Sequence, residues 1–171
     1  MHADNVGIEV QSTRSHFNRI HLLHRPKQAG PTHMNPGSIG SSCALRPLRC
    51  YLVEDSPLIR RSLIATLEDM VALEVIGTAE DEATATAWLH DAPDTVDLMI
   101  VDLFLKQGSG LEVLRRAREL RPQARLAVLT NYATTDMRRR CAAIGADRVF
   151  DKSAELEELL AYCTQLAQDL Q

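Results

Sequence analysis

The chain has 171 residues, of which 45 % are hydrophobic and 25 % charged, and its formal net charge is −4. That length suits one domain or one domain with a tail, and it can bury a core. No apolar run reaches the ~18 residues of a membrane span, no segment of ~7–15 apolar residues marks a secretory signal, and the mild acidity lacks the basic face of a nucleic-acid binder. The expectation is a cytoplasmic protein that contacts neither membrane nor nucleic acid directly. Cys43, Cys50, Cys141 and Cys163 show no CxxC spacing. They read as thiols in a reducing compartment, those of Cys141 and Cys163 on apolar helix faces, and not as a zinc site or disulfide framework.

Residues 1–48 differ from the rest. They hold five of the six histidines, four of the eight glycines and four of the seven prolines, with a charge of +3, which leaves −7 on residues 49–171. Such a segment buries too little apolar area to offset its ordering entropy, so residues 1–48 are expected to be a disordered extension and 49–171 the folded domain.

From Arg49 the pattern is regular. Arg49–Val53 is a short apolar strand that runs into the acidic pair Glu54-Asp55. Ser56-Pro57 opens a helix, serine as N-cap and proline at the first helical position, with Ile59, Leu63, Leu67 and Met70 at helical spacing. Leu73–Ala79 is a second strand. Glu80–Asp91 is a helix carrying Ala83, Ala87 and Trp88. Asp97–Val101 is continuously apolar after its first residue, as a strand covered on both faces would be. After the Gly108-Ser109-Gly110 loop, Leu111–Arg121 is a helix that stops before Pro122. Arg125–Leu129 is a strand, Thr134–Ile144 a helix with Gly145 as its C-cap, and Asp147–Phe150 the fifth strand. Ala154–Leu170 is the last helix, with Leu156, Leu159, Leu160, Cys163, Leu166 and Leu170 along one stripe.

Five strand–helix alternations predict an α/β fold, a doubly wound five-stranded parallel sheet with right-handed crossovers and strand order 2-1-3-4-5. In such a sheet the site lies beyond the carboxyl ends of the strands. Polar residues follow four of them: Glu54-Asp55 after the first, Asp102 after the third, Thr130 after the fourth and Lys152 after the fifth. Two like charges ~4 Å apart repel by about 4 kcal/mol at an effective dielectric of about 20. Three carboxylates at one rim therefore call for a compensating cation. Mg²⁺ suits oxygen ligands and tolerates phosphate oxygens in its shell. With Lys152 as a second positive group and the Thr130 hydroxyl as a donor, the set suits a phosphoryl group.

The stretch from Arg49 to Gln171 resembles a response-regulator receiver domain of bacterial two-component signalling, a flavodoxin-like fold. The residues that carry the resemblance are Val53-Glu54-Asp55-Ser56-Pro57, Ile100-Val101-Asp102-Leu103 with Gly108-Ser109-Gly110-Leu111, Val128-Leu129-Thr130-Asn131, Gly145-Ala146-Asp147 and Phe150-Asp151-Lys152-Ser153. The resemblance implies phosphorylation of Asp102 by a sensor histidine kinase or histidine phosphotransfer protein. It implies Mg²⁺ held by Glu54, Asp55, Asp102 and the backbone carbonyl of Phe104, and catalytic roles for Asp102, Thr130 and Lys152. The domain would catalyse only its own phosphoryl transfer and dephosphorylation, and so would not be an enzyme in the usual sense. With only the last helix after Lys152, the chain is expected to be a stand-alone regulator, a monomer or a phosphorylation-induced homodimer. It would act on a partner through the fourth helix, fifth strand and last helix, where Arg138-Arg139-Arg140, Arg148, Glu155, Glu157 and Glu158 lie. The alternative is a phosphorylation-independent pseudo-receiver that serves as an interaction module. A phosphatase of the haloacid dehalogenase type would want a second aspartate two positions after the nucleophile, where this chain has Phe104.

Against the family pattern, Val149 stands where many receivers have an aromatic switch residue, and Phe150 is expected on the opposite face of the strand. Lys106 and Ser153 replace common prolines, and Asn131 a smaller residue. Phe104 and Tyr132 flank the pocket, so slow water access and a long-lived phosphoryl group are expected.

Overall fold

The computed structural model describes residues 46–91 and 96–170. The tail expected over residues 1–48 lies outside them except for its last three residues. Ten elements alternate: β1 (Leu48–Val53), α1 (Pro57–Met70), β2 (Leu73–Ala79), α2 (Glu82–Asp91), β3 (Leu98–Val101), α3 (Gly110–Leu120), β4 (Arg125–Thr130), α4 (Thr135–Ile144), β5 (Arg148–Asp151) and α5 (Leu156–Asp169). The sheet has the order β2-β1-β3-β4-β5, and every neighbouring pair is parallel. This is the doubly wound, flavodoxin-like arrangement that the alternation predicts.

Side chains of successive strand residues point to opposite faces, and the core divides accordingly. Leu48, Cys50, Leu52, Leu98, Ile100, Ala127, Leu129 and Phe150 pack with Leu63 and Leu67 of α1 and Leu159, Cys163 and Leu166 of α5. Tyr51, Val53, Met99, Val101, Leu126 and Val128 pack with Ala85 and Leu89 of α2, Val113, Leu114 and Ala117 of α3 and Cys141 of α4. Val149 joins this second face, so the parity expected for the Val149-Phe150 pair holds. All four residues of β3 are buried, as befits a central strand covered on both sides.

The caps are those the sequence signals. Ser56 Oγ accepts from the Ile59 N–H and Pro57 opens α1. Ser109 Oγ accepts from the Leu111 N–H, and Thr134 Oγ1 from the Met137 N–H at 3.2 Å. Gly145, at φ 102°, closes α4 in the left-handed conformation that glycine adopts without a Cβ clash. Burial and element bounds refine these readings. Ile59 and Met70 are exposed, so the buried stripe of α1 is only Leu63 and Leu67. In α2 the buried residues are Ala85 and Leu89, while Ala83 and Ala87 face solvent. Alanines set no phase along a helix, and the heavier Leu89 fixes which face turns inward. β1 starts at Leu48, one residue early. Just before it, Arg46 forms a bidentate pair with Asp97, which also accepts from the Arg49 N–H. Cys50, Cys141 and Cys163 are free and buried. Burial pushes the Cys163 thiol up to about 12. Cys43 is not among the described residues.

Candidate phosphoryl and metal site

The site forms because parallel strands deliver their carboxyl ends to one rim. The ladder continues past the strands: the Glu54 N–H donates to Ala79 O, the Asp102 N–H to Val53 O and the Lys152 N–H to Thr130 O, each within 3.0 Å. The backbone thus sets Glu54 beside Asp102, and Lys152 beside Thr130 on the same rim, before any side-chain contact is made.

Lys152 Nζ lies 2.6 Å from Glu54 Oε2 and 2.6 Å from Asp102 Oδ2. The Glu54 side chain is 1 % exposed, that of Asp102 8 % and that of Lys152 10 %. Charges this sheltered interact far more strongly than on an open surface. Burial alone would lower the Lys152 ammonium; hydrogen bonds to Asp102 and Glu54, and their charges, outweigh it and hold the group above its ordinary value. The second carboxylate oxygens are engaged locally: Glu54 Oε1 accepts from the Ser56 N–H at 3.2 Å, and Asp102 Oδ1 from the Phe104 N–H at 3.3 Å. Arg60 of α1 donates to the Glu54 carbonyl at 2.6 Å.

Asp55 completes the cluster. One oxygen each from Glu54, Asp55 and Asp102 lies within 4.8 Å of the others. Lys106, in the loop after β3, places Nζ 3.7 Å from Asp55 Oδ2. Three carboxylates converging from two strand ends are a hard-oxygen set of the kind that binds Mg²⁺ or Ca²⁺, and one ammonium shared between two of them leaves negative charge over. The residues present therefore fit a divalent cation.

A small cavity over the cluster is lined by Glu54, Asp55, Asp102, Phe104, Asn131, Tyr132 and Lys152, with Ser56 and Ile59. The rings of Phe104 and Tyr132, two of its lining residues, are in contact, centroids 4.8 Å apart and planes at 59°. The expectation that these two flank the pocket matches that geometry. Thr130 is fully buried and does not line the cavity; its Oγ1 accepts from the Tyr132 N–H at 3.4 Å. Of the residues singled out in the sequence, Glu54, Asp55, Asp102, Phe104 and Lys152 come together, and Thr130 sits behind them.

Two features escape the sequence. Glu82 at the start of α2 accepts from the Ser109 N–H at 2.8 Å, and its own N–H donates to Gln107 O, which ties down the loop after β3. Arg138, expected as part of a surface run, is bound back to its own domain. Its guanidinium donates to Ala133 O, Val149 O and both Glu155 oxygens, and Glu155 also accepts from the Asp151 N–H next to Lys152. The Arg138 hydrogen bond, then the Asp151 N–H, hold the Glu155 carboxyl below the usual range. Consecutive arginines point 100° apart on a helix, so a run of three cannot show which one turns inward.

Comparison with known proteins agrees with the geometry. The family model for the response regulator receiver domain matches residues 50–164. The chain belongs to that family. Receiver domains are phosphorylated on aspartate in two-component signalling, exchange phosphoryl groups with histidine kinases or phosphotransfer proteins, and are signalling domains, not classical enzymes. Among curated relatives, the methanol utilization control regulatory protein MoxX of Paracoccus denitrificans is 26 % identical over 124 residues, covering 71 % of this chain and 54 % of that protein. The photosynthetic apparatus regulatory protein RegA of Cereibacter sphaeroides is 32 % identical over 106 residues, covering 62 % of this chain and 55 % of that one. The chain thus matches about half the length of these relatives. A crystal structure of a response regulator from Burkholderia pseudomallei, with a phosphorylated aspartic acid, calcium ion and citrate, aligns with TM-score 0.60 and 26 % identity over 71 % of this chain and 69 % of that one. Among the described residues no helix is long and apolar enough to cross a membrane.

Proposed function

We propose that this chain is a signalling switch that accepts a phosphoryl group on Asp102 from a phosphohistidine of a sensor kinase or phosphotransfer protein. The observation that carries the reading is the shared ammonium: Lys152 Nζ 2.6 Å from both Asp102 and Glu54, with Asp55 in the same cluster. An oxygen of Asp102 attacks phosphorus, the P–O bond forms as the P–N bond to the donor imidazole breaks, and the imidazole keeps the electron pair. Lys152 neutralises the oxygens of the acyl phosphate, and the Thr130 hydroxyl, freed from the Tyr132 N–H, hydrogen-bonds one of them. Glu54, Asp55, Asp102 and the Phe104 carbonyl would hold Mg²⁺, which supplies charge neutralisation and in-line orientation when bound. The Burkholderia relative, with its phosphorylated aspartic acid and calcium ion, supports the same chemistry here.

The output in this reading is a partner, or a second copy of the chain, that engages α4, β5 and α5 in the phosphorylated state. The phosphoryl contacts supply the free energy that separates the two states. Residence in the cytoplasm belongs to the same proposal. The test is incubation of the full chain with acetyl phosphate, with and without Mg²⁺, read as a phosphate mass increment. The expected increment requires Mg²⁺ and is lost in Asp102→Asn. An increment that survives Asp102→Asn would refute the assignment of Asp102. Failure to take up either phosphate or beryllofluoride would put the pseudo-receiver reading in its place.

A further inference from the structure

The three acidic groups of the site are divided between two lysines. Lys152 is buried and serves Glu54 and Asp102. Asp55 is left to Lys106, whose ammonium is 3.7 Å from Asp55 Oδ2 while its side chain is 73 % exposed. Among the described residues, Lys106 is the cation within ion-pair distance of Asp55. The rest of its surroundings are also acidic: the groove beside it is lined by Asp55, Glu80 and Asp81 with Pro57 and Gln107. With both lysines in place, the three carboxylates carry a residual charge of only about −1.

We propose that Lys106 is a tethered counter-cation that competes with the divalent ion for Asp55 and so sets the site's metal affinity. This rests on the cluster being the Mg²⁺ site described above. A metal that uses an Asp55 oxygen must take it from the ammonium, and a Lys106 that stays nearby repels the incoming ion. The two lysines differ in how they can respond. Lys152 is fixed between two buried carboxylates. Lys106 is a long, solvated side chain on a loop, free to swing toward Glu80 or Asp81 once Asp55 is taken. The two charges arriving as Mg²⁺ are thereby offset in part by the one leaving with Lys106. The exposed pair also limits the effect, because ion pairs of this kind are worth little and are screened by salt.

The test is cation binding to the full chain, with Mn²⁺ as a paramagnetic probe whose free fraction is counted by electron paramagnetic resonance, and Mg²⁺ affinity read by competition. Lys106→Gln should bind both ions about two- to fivefold more tightly than the wild type at low salt, and Lys106→Glu more tightly again. Lys106→Arg should keep the wild-type affinity. The gain in Lys106→Gln should shrink as ionic strength rises and should disappear in an Asp55→Asn background, because it acts through Asp55. Circular dichroism confirms that each variant is folded. If the wild type binds Mg²⁺ and Lys106→Gln binds it equally or more weakly, the competition is refuted and the metal site stands. If no form binds either ion, the metal-site reading falls and this proposal with it.

Discussion

Replacing Gly110 with alanine separates two ways of thinking about this chain. Gly110 is the first residue of α3, and a helix generally gains up to about 1 kcal/mol when glycine becomes alanine. The structure demands the opposite sign. A Cβ at Gly110 would lie 2.0 Å from the Asp102 carbonyl oxygen, 2.7 Å from Leu103 Cα and 2.8 Å from the Asp102 carbonyl carbon. All three are backbone atoms, so no side chain can swing away. Neither segment is free to retreat. The Gly110 N–H donates to Leu103 O and the Asp102 N–H to Val53 O, while Val113, Leu114 and Ala117 anchor α3 in the core with no exposure at all. Overpacking of rigid atoms costs about 1–3 kcal/mol and occasionally more, and this contact is about 1 Å inside the 3.0 Å floor that real Cβ contacts respect. With the cost at the upper end of that range, the net expectation for Gly110→Ala is a loss of about 2 kcal/mol, read as a lowered urea midpoint at unchanged slope. Because the displaced backbone is that of Asp102, divalent-cation affinity should weaken as well. A variant within about 0.5 kcal/mol of wild type, or more stable, would refute the packing argument.

Three further outcomes are expected. Tyr51 is fully buried, stacks on Trp88 with ring centroids 3.6 Å apart, and leaves its hydroxyl without a hydrogen-bond partner. Tyr51→Phe removes that unpaired group and keeps the stack, so stability by urea titration should be unchanged or higher by about 1 kcal/mol; a loss above 1 kcal/mol would contradict the assignment. Burial raises the Asp97 carboxyl, but hydrogen bonds from Arg46 and the Arg49 N–H outweigh it, so it titrates below its ordinary value. A folded-state value below the unfolded one stabilises at neutral pH, and the contribution is lost as pH falls from about 4 through the folded value. The stability gap between wild type and Asp97→Asn should therefore narrow on acidification, and a gap as wide at pH 3 as at pH 7 would exclude this linkage. Finally, the Phe104–Tyr132 contact in the cavity lining should slow hydrolysis of a phosphoryl group on Asp102. Phe104→Ala or Tyr132→Ala should hydrolyse it several-fold faster, whereas a wild-type half-life of seconds at room temperature would mean that the rings do not exclude water.

Much of this was legible in the sequence because the signals are local. Strand apolarity, the serine and threonine caps and Gly145 depend on residues a few positions apart, and alternation with right-handed crossovers restricts the strand order to a few doubly wound forms. The convergence of Glu54, Asp55, Asp102 and Lys152 was legible for the same reason, since each follows a strand and parallel strands end together. Illegible were the features set by contact across the fold. Gly110 read as a loop glycine, although its role is to let α3 approach Asp102. Nothing local marks Glu82, yet it fixes the Ser109 N–H 27 residues away. In α1 the spacing of Ile59 and Met70 fitted the buried stripe, but nothing in the helix itself tells where the sheet beneath it stops.

The fifth strand shows how one departure reorganises its surroundings. The position that holds an aromatic residue in many receivers is Val149, on the α3–α4 side of the sheet, while Phe150 turns into the α1–α5 core against Tyr162, ring centroids 5.9 Å apart. An aromatic side chain cannot then link the Lys152 loop to α4 on the Val149 side. What spans that gap is polar. Arg138 of α4 grips the Val149 carbonyl and Glu155, and Glu155 holds the Asp151 N–H. An aromatic residue would report the state of the site by choosing between rotamers, a packing choice indifferent to salt. The Arg138–Glu155 pair, with side chains 39 % and 33 % exposed, is an electrostatic tie reached by solvent and weakened by screening. In this domain the contacts between the Lys152 loop and α4 are therefore charge and backbone hydrogen bonds, and the Arg138–Glu155 pair among them is open to screening by salt.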